Sequence, residues 1–319
     1  MKILDKKQSS MGTLDDSYLN YPHRSYGMDH ERYEWSMLKN RKPVAWPNGK
    51  KVAVWVNVGL QFFPLNQKGI PFKVPGGMTK PYPDLRHYTL RDYGNRVGIY
   101  RFLKAFDRYG VKPTFAMNTR LAEKYPYLLG LLKERQDEIL CHGHHMDALH
   151  YGGQNPEEEK ELVKTALDRL RNLTGQSVKG WISPAKNESM NTPDFLAEEG
   201  IAYFCDWAND AMPYNFKTKH GDLVAMPLST ELEDHFIILN NLHTAEDWGE
   251  QVKDAFAFLL EESQTMGGRI LSLNIHPWVL GQPHRIGYLE SVLEELAAHD
   301  AVWMAAASEI LESWKSQTA

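Results

Sequence analysis

Cysteine is scarce in this sequence. There are two among 319 residues, Cys141 and Cys205, each inside an apolar run and neither in a CxxC or regularly spaced set. A disulfide framework is therefore not indicated. No stretch approaches the roughly 20 apolar residues that a membrane span needs. The opening MKILDKKQSSMGTLDDSYLNYPHRSYGMD has no continuous apolar core of the kind a signal peptide carries. Positive charge is not in excess either: 36 Lys and Arg stand against 41 Asp and Glu, a formal net charge of −5. Without a basic field to concentrate a polyanion, neither nucleic acid nor an acidic membrane is an expected partner. No internal repeat or low-complexity tract stands out. These absences predict a cytoplasmic protein that works on a small molecule, and they argue against a secreted polymer-trimming enzyme.

What is present is enough apolar material, 42% of residues, to build one large α/β domain. Residues 1–46 are polar and aromatic with scattered Pro and Gly, and read as an N-terminal arm around the domain or a neighbour; residues 47–319 read as a single domain. Short β-branched or apolar runs lie at 52–58, 113–118, 138–143, 179–184, 202–207, 223–229, 269–276 and 302–307. Both faces of such runs are apolar, as a strand covered by helices requires. Amphipathic segments separate most of them, at 94–109, 120–134, 156–174, 192–199, 246–265 and 285–299. Strand followed by helix, repeated, predicts parallel βαβ units, and about eight strands favour a distorted (β/α) barrel over an open sheet. Asn155-Pro156 before an acidic turn, with Gly175 after it, marks both ends of one helix. The charge run at 157–171 reads as a solvated helix face. The Pro- and Gly-rich stretch 60–92 carries no convincing strand or helix, and loops of that length are usually lids, subunit contacts or disordered segments.

In a barrel, chemistry sits where strands end at the C-terminal rim. The polar residues at those ends are Asn57, Asn118, the cluster from His142 to Asp147, Ser183, Asp206, Glu231 with Glu233 and Asp234, and His276. His142 and His276 are the leading catalytic candidates, since an imidazole at a strand end can lend or take a proton near neutral pH. Glu231 and Asp206 are candidates for the base that activates water, or for orienting an imidazole. Asn57 and Asn118 could donate to a substrate carbonyl or a developing oxyanion. The clustered imidazoles, His142 with His144 or His145, could also hold a transition metal. Plain packing, capping and salt-bridge roles stand as the alternatives for each.

With these residues on the page, the sequence resembles the polysaccharide deacetylase family over roughly residues 20–315, and within it the allantoinase-like branch that includes cyclic-imide hydrolases. The resemblance rests on His142-Gly143, Gly180-Trp181, the run from Asp206 to Asp210, Pro213-Tyr214, HPWVLGQPHRIGYLE from His276 to Glu290, and YGNRVGIYR at 93–101. It implies a NodB-type barrel, a substrate site that includes Trp181, Trp207 and Trp278, and a homo-oligomer, by family habit a tetramer. Metal-using members carry a carboxylate pair after the first strand and two histidines four apart. Here Gly59, Leu60 and Met146 stand at those places, so the standard metal triad is expected to be absent. A zinc ion at a non-standard site, with His142 and His145 as candidates, is left open. The implied activity is hydrolysis of a C–N bond in a small amide, cyclic imide or ureide. The alternatives are a non-catalytic small-molecule-binding protein on a degenerate scaffold, or a polysaccharide deacetylase proper.

Overall fold

In the computed structural model, which describes residues 30–65, 72–73, 79–80 and 85–318, the first long apolar run becomes strand β1, Val52–Leu60, buried at every position. Its two faces go to different places. Val52, Val54, Val56, Val58 and Leu60 pack in the layer between sheet and helices, whereas Ala53 and Trp55 join a separate inner cluster. The alternation follows from the two-residue side-chain period of a strand.

After a short hairpin, β2 (Phe72–Lys73) and β3 (Thr79–Lys80), come β4 (Thr114–Met117), β5 (Glu138–Cys141), β6 (Gly180–Trp181), β7 (Tyr203–Phe204), β8 (Tyr214–Thr218), β9 (Gly221–Ala225), β10 (Arg269–Ile275) and β11 (Val302–Met304). They order as β10-β1-β4-β5-β6-β7-β9-β8, with β11 beside the first residues of β1. Every pairing in this sheet is parallel except β8 with β9. Among the described residues no ladder joins β9 to β10; the Ser229 N–H donates to Ser272 Oγ across that seam at 3.1 Å. The result is a curled, incompletely closed (β/α) barrel.

The eight expected strands are all present, most of them a little shorter than their apolar runs. The antiparallel β8 was not expected, because YNFKT alternates polar and apolar and reads as loop until its hairpin partner is known. The stretch 60–92, expected to be free of regular structure, contains helix α1, Leu85–Tyr93. It continues through a π-helical turn at Gly94–Gly98 into α2, Ile99–Tyr109. Two glycines there are sterically required: a Cβ on Gly98 would lie 2.0 Å from the Pro277 carbonyl oxygen, and one on Gly94 2.6 Å from the Trp278 nitrogen. The 93–101 segment thus backs directly onto the loop that follows β10.

Asn155 caps helix α5 (Pro156–Thr174, counting α3 as Thr119–Lys124 and α4 as Pro126–Glu134), its side chain accepting from the Glu157 and Glu158 N–H groups. The charge run on this helix is not wholly solvated: Glu159 is 0% exposed. It accepts hydrogen bonds from Ser189 Oγ at 2.6 Å and from Thr192 Oγ1, and His150 Nδ1 lies 3.5 Å away. Residues 1–29 of the expected arm lie outside the described residues. Within 30–46, Arg32 pairs with Asp194 at 2.7 Å and Arg41 with Asp210 at 2.5 Å. Val44 and Trp46 belong to the inner core, a correction to the expectation that nothing before residue 47 is core. Among the described residues no helix is long and apolar enough to cross a membrane.

Candidate active site

The face of β1 that carries Ala53 and Trp55 continues, by the same period of two, to Asn57 and Gly59. Ala116 near the end of β4 and Ile270 in β10 also face the inner cluster, and from Ile270 the period runs through Ser272 and Asn274 to His276. Near the C-terminal ends of these strands the inward positions turn from apolar to polar and open a cavity of about 660 Å3. Asn57, His142, Asn274, His276 and Trp278 line it. Asn57 and Asn274 are register partners, and the Asn57 amide donates to Asn274 Oδ1 at 2.8 Å.

His142 follows β5 and is buried. Its Nδ1 lies 2.9 Å from the Ile182 carbonyl oxygen. A carbonyl only accepts, so Nδ1 carries the proton and Nε2 is left as the acceptor. Burial pushes the His142 pKa down to about 4, and the Ile182 carbonyl opposes that only in part. At neutral pH this imidazole is uncharged.

His276 is the electrostatic opposite. Asp234, 0% exposed, accepts from His276 Nδ1 at 2.7 Å, from the His276 backbone N–H at 2.8 Å and from the His235 N–H at 2.7 Å. Burial raises the Asp234 carboxyl, and the three donors that converge on it oppose that rise and favour the proton on the imidazole side of the pair. Burial works against an imidazolium at His276, but Asp234 and then Glu233 outweigh it, and the pKa is raised. His276 Nε2 stands 4.0 Å from Glu233 Oε1 and 3.3 Å from Gln61 Nε2. Glu233 also lies 3.8 Å from Lys186 Nζ and 3.8 Å from His235 Nδ1. The Arg91 guanidinium lies over the Trp278 ring at 4.0 Å and completes one wall of the cavity.

Of the predicted residues, His142, His276, Asn57 and Trp278 come together in this cavity. Glu231 does not: it is exposed, and the carboxylates that reach the cavity region are Glu233, in its wall, and Asp234, behind His276. Strand-end reasoning finds the neighbourhood but not the register, because the chain leaves its strand at 225 and enters a π-helical turn at His235–Asn240. Asn118 is fully buried as a structural clamp, accepting from the Phe62 N–H at 2.7 Å and donating to the His142 carbonyl. Trp181 has the opposite parity to the inward Ile182; it packs in the helix layer and donates to Ser183 Oγ at 2.8 Å. Asp206 and Trp207 line a separate cavity. His144 and His145 lie outside the first cavity; His145 Nδ1 accepts the Asp147 N–H at 3.2 Å as a turn cap. Sequence reasoning missed Gln61, Arg91, Lys186 and His235. Of these only Lys186 follows a signal that was read, the Ser183-Pro184 strand end.

The residues present do not fit the metal of metal-using deacetylases. A Cβ on Gly59 would meet His276 Cδ2 at 2.7 Å and Nε2 at 2.9 Å, so the imidazole fills the room an acidic side chain would need there. Leu60 faces the helix layer and Met146 offers a thioether. Among the described residues no group of three or more His, Cys, Asp or Glu is arranged to hold a metal. His145 does not join His142 to form one.

Comparison with known proteins fits this geometry. The family profile for polysaccharide deacetylases matches residues 88–204. A Schizosaccharomyces pombe protein assigned to the polysaccharide deacetylases is 24% identical over 307 residues, 86% of this chain and 95% of its own. The chain is thus similar to the polysaccharide deacetylases, with the family match itself confined to residues 88–204. Solved structures agree in fold. A Pseudomonas aeruginosa member of the polysaccharide deacetylases superposes with a TM-score of 0.78 at 24% identity, covering 87% of this chain and 96% of its own. An allantoinase superposes with a TM-score of 0.78 at 22% identity, covering 87% and 95%. The chain therefore shares its fold with these solved structures.

Proposed function

We propose that this protein hydrolyses a C–N bond in a small amide, cyclic imide or ureide, without the metal triad of its metal-using relatives. One observation carries the reading. A neutral imidazole acceptor, His142, and an imidazole held toward its charged form, His276 on Asp234, line one cavity with the Glu233 carboxylate. Two like groups with their pKa values pushed apart supply an acid and an acceptor at one pH.

Water held between Glu233 and His142 Nε2 attacks the carbonyl carbon. Glu233 takes one proton as the C–O bond forms, and His142 accepts a hydrogen bond from the other, which fixes the oxygen lone pair. The Gln61 and Asn57 amides and the Lys186 ammonium are the donors available to the developing oxyanion; one such donor can contribute about 3 kcal/mol. As the C–N bond breaks, His276 Nε2–H passes its proton to the departing nitrogen, and Asp234 stabilises the imidazolium until then. The proton on Glu233 returns to His276, the two being 4.0 Å apart. The products are a carboxylic acid and an amine or amide nitrogen, and the books balance without an oxidant or cofactor.

The test is turnover of a panel of succinimide-, hydantoin- and ureide-type rings by the purified protein, run beside His276→Ala and Glu233→Gln. Turnover that falls by a factor of about 10² or more in each variant is expected. Ligand-induced thermal stabilisation with no product would instead favour a binding protein on a degenerate scaffold, the reading to which Gly59, Leu60 and Met146 give some weight. Release of acetate from N-acetylated oligosaccharides in place of ring opening would favour a deacetylase.

A further inference from the structure

Gln61 follows the last residue of β1, and the chain around it is fixed. The Asn95 amide donates to the Gln61 carbonyl at 3.0 Å, and the N–H of the next residue, Phe62, donates to Asn118 Oδ1 at 2.7 Å. The Gln61 side chain is held far less tightly. It lines the reaction cavity, and its one hydrogen-bonding contact among the described residues is with His276, Nε2 to Nε2 at 3.3 Å. Glu233 Oε1 stands further from the same ring nitrogen, at 4.0 Å. A Cβ on Gly59 would meet the imidazole at 2.7 Å and the Gln61 amide nitrogen at 3.6 Å, so ring and amide share the room above that glycine.

His276 Nδ1 is committed to Asp234. Only Nε2 therefore changes character when the ring gains a proton: it accepts when the ring is neutral and donates when the ring is charged. A carboxamide has a donor at one end and an acceptor at the other, and a half turn about its last side-chain bond exchanges them. Beside a neutral ring the Gln61 N–H donates to Nε2 and the amide oxygen is left to the cavity. Beside a charged ring the oxygen accepts Nε2–H and the NH2 group is left to the cavity. Two donors facing one another in a buried place would cost more than the turn, which needs no movement of the main chain. Several titratable or charged groups surround this ring. Asp234, Glu233 and His235 lie after β9, His142 after β5, and Arg91 on α1; Arg285 lies near Asp234; Lys186 lines both this cavity and the neighbouring one of Asp206 and Glu188. Burial pushes His142 and His235 down to about 4. Of the three imidazoles, His276 is thus the one whose charge the amide can follow near neutral pH.

We propose that Gln61 is a positioning residue for the His276 proton: its oxygen accepts Nε2–H when the ring is charged, and the same turn presents its NH2 group to the cavity, so that the acid and an oxyanion donor stand ready together. The oxyanion role rests on the hydrolysis proposed above; the link between amide and proton does not, and a titration without substrate tests it. In protein labelled with 15N-histidine, the ring resonances of His276, assigned from a His276→Ala spectrum, are followed against pH. Gln61→Glu, which places a carboxylate at Nε2, is expected to raise the His276 pKa by about one unit, and Gln61→Leu, which removes the acceptor, to lower it by about one unit. His144→Ala, outside the cavity, leaves it unchanged. Should one Gln61 variant fold poorly, the sign of the other decides. In the ring-opening assay both variants lose turnover by about tenfold or more, since neither keeps the amide donor. An unmoved His276 pKa, or shifts of one sign in both variants, overturns the proposal even where turnover falls. Opposite shifts uphold the link between amide and proton even where no ring is opened, an outcome that counts against the hydrolytic reading alone.

Discussion

The two cavities flank one lysine and draw on the same residue types, yet their carboxylates are balanced in opposite ways. In the first, each carboxylate faces basic side chains: Asp234 holds His276, and Glu233 sits beside Lys186 and His276, with His235, whose pKa burial pushes down to about 4, as an uncharged neighbour. In the second, Glu188 and Asp206 face one another. The physical consequence is a proton in a different place. In the first cavity burial raises the Asp234 carboxyl while the neighbouring imidazole of His276 opposes that and is itself raised; in the second, burial raises both carboxyls and the nearness of Asp206 raises Glu188 further. Residue composition does not distinguish these outcomes, whereas the identity of the nearest neighbour does.

The sharpest way to break this contrast is to remove the cation's partner in the first cavity. Asp234→Asn leaves the His276 ring without its carboxylate in a fully buried setting. Turnover is expected to fall by a factor of about 10³ or more, and stability by about 3 kcal/mol, since one member of a buried pair is left uncompensated. Denaturant melts beside initial rates measure both, and a variant with unchanged rates removes His276 from the scheme. Next in size is the buried carboxylate beside His150. Glu159→Ala strips the acceptor from Ser189 and Thr192 and from the nearby His150; a loss of about 3 kcal/mol in a urea melt is expected, against near-neutrality if the network is ornamental.

A smaller effect sharpens the contrast through its sign. Burial pushes the folded pKa of Asp206 up to about 6 against an ordinary value of 3.8, so the native state holds a proton that the unfolded chain releases. Stability from this group is therefore present below about 4, declines as pH rises toward 6 and stays low above it. Asp206→Asn is expected to stabilise the protein at pH 8 by on the order of 1–2 kcal/mol and to do little at pH 4. Melting temperatures at the two pH values decide it, and equal shifts at both would disprove the raised pKa. The smallest expected effect is that of His144→Ala and His145→Ala. Lying outside both cavities, each should change stability by no more than about 0.5 kcal/mol and leave turnover within twofold, whereas a large loss would put the imidazole cluster back into the site.

Much of the architecture was legible because its signals are local. Helix α5 was read to the residue from Asn155, Pro156 and Gly175, which cap it as expected. The eight parallel-sheet strands were read from apolar runs that must be buried on both faces. The antiparallel β8 and the helix at 85–93 were not, since a half-exposed hairpin strand and a polar helix have no comparably strong pattern. In the site, His142 and His276 were legible because each ends an apolar strand. Glu231 was preferred to Glu233 and Asp234 because the rule that finds a strand end cannot count residues through the irregular turn beyond it. Glu159 was hidden inside a run of like residues whose exposed members set the pattern.

By itself the sequence determined the order of strands and helices, the class of fold and the two histidines at its rim, because periodicity and capping act over a few residues. Only the tertiary structure decided which carboxylate meets which base. Partners such as Asp234 and His276 lie 42 positions apart, and a pKa depends on what is within a few ångströms, a quantity that chain order does not carry.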